Sequence, residues 1–312
     1  MSTANKSDQI PEGLTIRRQG ESLEEVTTEL SVIKLLSSQT HFELTEVYLK
    51  KDARLGLTPA GTCSEIIYVL SGQLVYNSPS SYLVLEPNDY IVTKSLKEAI
   101  LFIALVDTRV LYITEKSQFH TLSNNLHQLR ELAVEVELKD GYTADHCRRL
   151  QDLSYATGLE LGLGSGRLHV LDYGAYLHDV GKIRVPLSIL TKPGKLTPEE
   201  WDILKKHPTY GRELLDQTFM REAGTIVEQH HERSDGSGYP YSLAGDEILI
   251  ESSIVAVADT FDAMTTDRPY RKASTQAEAL AEIYKYAGIH YPEEVVKAFC
   301  SALNASKLEK EK

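Results

Sequence analysis

Cysteine is scarce in this chain: Cys63, Cys147 and Cys300 are the only three among 312 residues. An odd, widely scattered set describes no disulfide framework and suits a reducing compartment. Positive charge is short as well. The 33 Lys and Arg face 45 Asp and Glu, a formal charge of −12. That balance argues against binding of nucleic-acid polymers and against a polybasic membrane anchor. An anionic small substrate would need a locally basic pocket. Long apolar runs are missing too. The longest, Ala99-Ile100-Leu101-Phe102-Ile103-Ala104-Leu105-Val106, is far too short to cross a bilayer and reads as a buried strand. Met1 to Pro11 contains no hydrophobic region of the signal-peptide kind. These absences predict a soluble cytoplasmic protein, and the length predicts two domains, each with its own core.

What is present before residue 115 is a series of short β-rich segments. Ile66-Ile67-Tyr68-Val69-Leu70 turns at Ser71-Gly72 into Gln73-Leu74-Val75-Tyr76. Ser81-Tyr82-Leu83-Val84-Leu85 turns at Pro87-Asn88-Asp89 into Tyr90-Ile91-Val92, and the run 99–106 turns at Asp107-Thr108 into Val110-Leu111-Tyr112-Ile113. Such a pattern predicts a small barrel or jelly roll over 1–115. The stretch from Pro59 through Gly61 to Glu65, followed by Tyr68-Val69-Leu70-Ser71-Gly72, resembles the first motif of cupin barrels, and Leu85-Glu86-Pro87-Asn88-Asp89 looks like the turn into the second. A cyclic-nucleotide-type β-roll would give the same alternation. The metal ligands of cupin enzymes are mostly histidines, and His41 is the only histidine before residue 115. A metal-free sensory or dimerising barrel is the expectation.

Residues 116–139 change character. Leu122, Leu126, Leu129, Ala133 and Val136 repeat at spacings of four and three, a seam on one helix face. The seam suits a helix packed on its own domain and a parallel homodimer helix about equally. His120 and His127 read as surface residues.

From Asp140 onward the punctuation is that of an all-α domain, 140–312. Tyr173 to Val180 reads as a helix end stopped by Gly181. Thr197-Pro198-Glu199-Glu200 is a capping box opening a helix that reaches His207. Ile226, Val227, His230 and His231 place two imidazoles near one helix end. Ser252-Ser253 can cap a helix on which Asp259 and Asp262 share a face. Pro292-Glu293-Glu294 opens the last helix, and Leu308 to Lys312 reads as a charged tail.

Five of the ten histidines, His146, His178, His207, His230 and His231, fall at the ends of predicted helices, with Asp179 and Asp259 beside them. One such histidine is usually a satisfied core or cap residue. Seven polar side chains on apolar segments are costly to bury unless they share ligands. Mixed imidazole and carboxylate donors suit iron, manganese, zinc or nickel rather than calcium. Two ions about 3.5–4 Å apart, bridged by a carboxylate, would use all seven, and that arrangement suits in-line displacement at phosphorus.

Residues 140–300 resemble the HD-GYP subgroup of HD phosphohydrolases, which hydrolyse cyclic di-GMP. The resemblance rests on Asp140 to His146 with Arg149, on His178-Asp179-Val180-Gly181-Lys182-Ile183, and on Lys192 to Thr197 leading to His207-Pro208. It continues through His230-His231-Glu232-Arg233-Ser234-Asp235-Gly236-Ser237-Gly238-Tyr239-Pro240 and Asp259-Thr260-Phe261-Asp262, to Asp267-Arg268-Pro269-Tyr270-Arg271. It implies that His146, His178, Asp179 and Asp259 hold one divalent ion, iron or manganese, and that Asp179 bridges to a second held by His207, His230 and His231. It further implies that Lys182 stabilises charge at the scissile phosphate. Arg268, Arg271, Asp262, Gly238, Tyr239 and Pro240 would bind substrate, with guanidinium offering a planar fork to phosphate or guanine.

Some members carry a glutamate four residues before the first ligand histidine, which implies a third metal. Tyr142 stands there in this chain and is a poor ligand at neutral pH. The expectation is therefore a two-metal, metal-activated hydroxide attack giving linear pGpG, with slower onward cleavage to GMP, under control of the barrel. Two alternatives stay open: a non-catalytic cyclic dinucleotide sensor, and an HD hydrolase of another cyclic dinucleotide or nucleotide.

Overall fold

A computed structural model describes residues 18, 20–59, 63–117, 119–120, 131–136, 139, 145–267 and 272–310. The predicted strands form, and four precede them: β1 Glu24–Thr27, β2 Ser31–Ser38, β3 Glu43–Leu49, β4 Arg54–Leu57, β5 Ser64–Ser71, β6 Leu74–Ser78, β7 Ser81–Leu85, β8 Tyr90–Lys94, β9 Ile100–Ala104 and β10 Thr108–Thr114. All described pairings are antiparallel. One sheet runs β1-β2-β3-β10-β5-β8 and the other β4-β9-β6-β7. Strict alternation in β3 turns Thr45, Val47 and Leu49 inward, and Val47 and Leu49 pack with Ile67, Val69, Leu74, Phe102 and Val110.

None of the three strand pairs that the sequence joins by a turn, β5 with β6, β7 with β8 and β9 with β10, forms a hairpin. β5 bonds to β8 and β10, whereas β6 bonds to β7 and β9, so Ser71-Gly72 is a corner between sheets. The same holds for β9 and β10 across Asp107. Period-two alternation fixes which face is buried and says nothing of which neighbour a strand takes.

The helical half comprises α1 His146–Glu160, α2 Ser165–Leu177, a 3₁₀ turn Val180–Arg184, α3 Leu187–Leu190, α4 Pro198–Leu204, α5 His207–Leu215, α6 Ala223–Gln229, α7 Ile250–Thr265, α8 Gln276–Lys285 and α9 Glu293–Lys310. α7 is its axis, with Ile254, Val255, Val257 and Ala258 fully buried. These pack with Leu150 of α1, Leu171 of α2, Ile226 of α6 and Phe299 of α9. Leu101 of β9 joins the same core, so barrel and helices share apolar packing. Among the described residues no helix is long and apolar enough to cross a membrane.

Several expectations are corrected in detail. The helix before Gly181 ends at Leu177, and Gly181 sits within the 3₁₀ turn. A Cβ there would lie 2.0 Å from the His207 carbonyl oxygen, so glycine permits the close approach of that turn to α5. Thr197 does cap α4 through a reciprocal pair with Glu200, but α4 ends at Leu204 and His207 opens a separate helix. Ser252 and Ser253 lie inside the first turn of α7, whose cap is Leu249. The charged C-terminal residues through Lys310 continue α9. Of the seam, Ala133 and Val136 are buried on helical residues 131–136, while Leu122, Leu126, Leu129 and His127 lie outside the described residues. His120 is exposed, as expected.

The two halves meet through a buried ion pair. Arg54 Nε lies 2.5 Å from Asp172 of α2, and its Nη2 lies 2.8 Å from Asp152 of α1. Gln151 also donates to Asp172, at 2.9 Å. Tyr155 donates to the Asn77 carbonyl at 2.7 Å, adding a contact to β6.

Candidate metal centre

Four of the five candidate histidines stand at helix termini and are oriented by their own Nδ1. His178 caps α2 and donates through Nδ1 to the Ala175 carbonyl at 2.9 Å. His207 does the same to Leu204 at 2.8 Å, and His230, capping α6, to Val227 at 2.6 Å. In all three the carbonyl three residues earlier fixes the Nδ1–H tautomer and leaves the Nε2 lone pair facing the centre. His146 Nδ1 meets Asp262 Oδ2 at 2.7 Å instead.

Asp179 stands between these groups. Its Oδ1 lies 3.2 Å from His207 Nε2 and 3.9 Å from His230 Nε2. Its Oδ2 lies 3.3 Å from His178 Nε2 and 2.7 Å from Lys182 Nζ. The donor atoms of Asp179, His207, His230 and His231 all fall within 4.8 Å of one another, and so do those of His146, His178 and Asp179. Asp259 Oδ1 joins the second group at 3.7 Å from His146 Nε2. The seven residues read as metal ligands are thus brought together, with Asp179 common to both groups.

The electrostatics suit cations. His207 and His230 turn Nε2 atoms toward each other at 3.5 Å while their Nδ1 protons are committed elsewhere. Among the described residues, His178 Nε2 and the Oδ1 atoms of Asp179 and Asp259 are sealed from solvent with no well-formed hydrogen bond. Such atoms are expensive to bury unless something electropositive sits between them. Burial depresses the imidazolium of His178, but Asp179 and then Asp259 lift its pKa to about 9. Burial and mutual repulsion hold His230 and His231 well below the usual range. Burial works to raise Asp179, yet Lys182 and His178 hold it well below. The donor set fits divalent transition metals bound by nitrogen and oxygen.

The Gly-Tyr-Pro loop closes over this centre. The Tyr239 ring stacks on His231, 4.6 Å between centroids and 29° between planes. A Cβ on Gly238 would lie 2.4 Å from Glu232 Cα, so only glycine lets the loop fold back this tightly. Pro240 follows a cis peptide bond. Glu232 was assigned no role from sequence. It is buried and accepts from the Tyr241 and Leu243 amides at 2.7 and 3.0 Å, pinning the loop beneath the ligands. Its only signal was its place directly after the His-His pair.

Asp262 is corrected. Expected among the substrate-binding residues, it is buried behind His146, with Arg149 donating to Oδ1 at 2.5 Å and to Oδ2 at 2.9 Å. Burial opposes ionisation, yet Arg149 and His146 hold its pKa at about 2. Both oxygens are engaged with protein, by His146 and Arg149. Arg268, Arg271 and Tyr142 lie outside the described residues.

The family model of the HD domain matches residues 130–295. The chain belongs to the HD domain family. Among its relatives, a cyclic di-GMP phosphodiesterase of Thermotoga maritima is 40% identical over 267 residues, covering 85% of this chain and 65% of that protein. The cyclic di-GMP phosphodiesterase response regulator RpfG of Xanthomonas campestris is 43% identical over 163 residues, 51% of this chain and 43% of that protein. A 3'3'-cGAMP-specific phosphodiesterase of Vibrio cholerae is 38% identical over 169 residues, 53% of this chain and 32% of that protein. The HD chain thus spans between 32% and 65% of the length of these relatives. Among solved structures, a cyclic GMP-AMP specific phosphodiesterase of V. cholerae aligns over 57% of this chain and 48% of that one, at 20% identity and a TM-score of 0.41. An RmlC-like cupin of Shewanella frigidimarina aligns over 35% of this chain and 96% of that one, at 15% identity and a TM-score of 0.29.

Proposed function

We propose that this HD protein is a metal-dependent phosphodiesterase that hydrolyses cyclic di-GMP to linear pGpG, and more slowly to GMP, in the cytoplasm. The observation that carries the reading is Asp179, whose two oxygens face two separate histidine groups. Two divalent ions, iron or manganese, would be held by His146, His178, Asp179 and Asp259 on one side and by Asp179, His207, His230 and His231 on the other. Bound there, they supply Lewis acidity at a phosphoryl oxygen and lower the pKa of water.

The chain's own residues do the rest. Lys182, largely buried at 2.7 Å from Asp179, presents an ammonium that neutralises charge on a phosphoryl oxygen. Gly238, Tyr239 and Pro240 form the pocket rim, and Arg268 and Arg271 take a phosphate or guanine. Buried free thiols at Cys63, Cys147 and Cys300 are in keeping with a reducing compartment.

In this reading 1–115 is a regulatory barrel, 116–139 a linker helix and 140–312 the hydrolase. The barrel encloses a cavity of about 110 Å³ lined by Glu43, Thr45, Glu65, Tyr112, Arg54 and His169. His169 belongs to α2, the helix that also meets Arg54 through Asp172 and ends in His178. Occupancy of the cavity therefore acts on the metal centre along α2. The edge strands β7 and β8 expose Tyr82, Leu83, Val84, Tyr90 and Val92, an apolar margin that supports a homodimer through the barrel.

The reading is tested by anaerobic purification with metal analysis, followed by turnover of cyclic di-GMP by wild type and Asp179→Ala. Turnover lost in the variant supports it, and binding without turnover by metal-loaded wild type supports a sensor instead. A second substrate reading, a hybrid cyclic dinucleotide, is favoured by the relatives named as 3'3'-cGAMP-specific phosphodiesterases. Parallel assays of the two cyclic dinucleotides separate them.

A further inference from the structure

Trp201 is the chain's single tryptophan, and 43% of its surface is exposed on α4. Its ring meets Tyr239 edge-on, with 6.4 Å between centroids. Tyr239 in turn stacks on His231 and approaches His207 at 6.4 Å, so the indole stands one ring away from two metal-ligand candidates. Lys205 Nζ lies 5.8 Å from the centroids of both Trp201 and Tyr239. Among the described residues Lys205 has no carboxylate partner.

An exposed aromatic by itself is ordinary, and a lysine four residues after a tryptophan can simply cover it along the helix. That reading leaves the second contact of Lys205 unexplained. Tyr239 comes from a loop beyond α5 and α6, and a helix-surface pair needs no such partner. The arrangement is a flat apolar ring, a tyrosine set against it and an uncommitted ammonium, all at the rim of a site for an anionic dinucleotide. Flat bases stack on aromatic rings, and an ammonium beside them meets phosphate.

We propose that Trp201, with Tyr239 and Lys205, forms a stacking subsite that takes one purine of the cyclic dinucleotide while Lys205 meets its phosphate. This rests on the cyclic dinucleotide reading above. Stacking reads the face of a base and not its hydrogen-bonding edge, so the subsite accepts guanine and adenine alike. Discrimination between cyclic di-GMP and a hybrid dinucleotide then falls to other residues.

The test compares full-length Trp201→Leu and Trp201→Phe with wild type, after thermal melts show all three equally folded. Trp201→Leu should raise KM for cyclic di-GMP about 10-fold or more, with kcat within about twofold. Trp201→Phe should keep KM within about threefold. Should Trp201→Leu not fold, Lys205→Met takes its place, again with KM raised. Separately, the emission of the lone tryptophan in Asp179→Ala should be quenched saturably by cyclic di-GMP and by 3'3'-cGAMP. Unchanged KM in Trp201→Leu, or unchanged emission while equilibrium dialysis shows the dinucleotide bound, overturns the subsite and leaves the enzyme reading standing. A wild-type protein that neither binds nor hydrolyses either dinucleotide overturns the substrate reading, and the subsite with it.

Discussion

The guanidinium of Arg54, on the barrel, lies 2.5 Å from the carboxylate of Asp172, on the helix whose C-cap is His178. Burial disfavours the charged guanidinium, but Asp172 and then Asp152 outweigh it and raise its pKa. The pair joins the barrel to the helix that presents the HD residues.

Arg54→Leu removes the cation from a carboxylate buried to 1% exposure. A substitution of this kind typically costs about 3–5 kcal/mol. We expect a lowered unfolding midpoint and reduced turnover, although Arg54 approaches no metal ligand. Arg54→Leu/Asp172→Leu should recover most of the stability without restoring turnover. Urea unfolding with parallel turnover assays reads both, and unchanged turnover in a folded Arg54→Leu would remove α2 as the route.

His169 makes the barrel contact sensitive to acid. Burial lowers its pKa from 6.5 to about 4. Between those values the unfolded chain binds a proton that the folded chain does not. Stability is therefore complete above about 6.5 and falls as pH drops, the loss levelling off near 4, by about 3 kcal/mol at most. His169→Gln should flatten the thermal-melt profile across that window. An unchanged slope would show that other groups carry it.

Asp262→Asn tests positioning of His146. The amide keeps the size but weakens the charge-assisted bonds to His146 and Arg149. Loss of such an outer partner lowers metal affinity by about 10–100-fold. Competitive metal titration should show weakened binding at one of two sites, with the midpoint of unfolding in excess metal little changed. Equal affinity at both sites would contradict the assignment.

Glu232→Gln addresses the loop instead. One amide oxygen cannot replace two carboxylate oxygens accepting from the Tyr241 and Leu243 amides. An unsatisfied buried amide costs about 1–3 kcal/mol. Metal content should stay at the wild-type value while KM rises. A fall in metal content with KM unchanged would instead make Glu232 a support for His230 and His231.

Much of the centre was legible because helix punctuation and histidine placement coincide. His178, His207 and His230 each sit where a helix begins or ends, and there Nδ1 can reach a carbonyl three residues back. What the local pattern could not carry were relations between distant elements. Asp262 shares a helix face with Asp259, yet its role depends on His146 and Arg149, which come from α1. Glu232 acquires its role only when the loop folds back upon it. Likewise Ser71-Gly72 reads equally well as a hairpin turn or as a corner, because the choice between sheets is made by β8, β9 and β10. The break between α4 and α5 was missed because Lys205 and Lys206 are good helix formers and neither glycine nor proline marks it before Pro208.

The most direct test is the metal content and cyclic di-GMP turnover of anaerobically purified wild type beside Asp179→Ala. The account predicts about two divalent ions per wild-type chain with hydrolysis to pGpG, and a folded variant that has lost metal at both sites together and all turnover. An Asp179→Ala protein that keeps one ion fully bound and still hydrolyses cyclic di-GMP would contradict it.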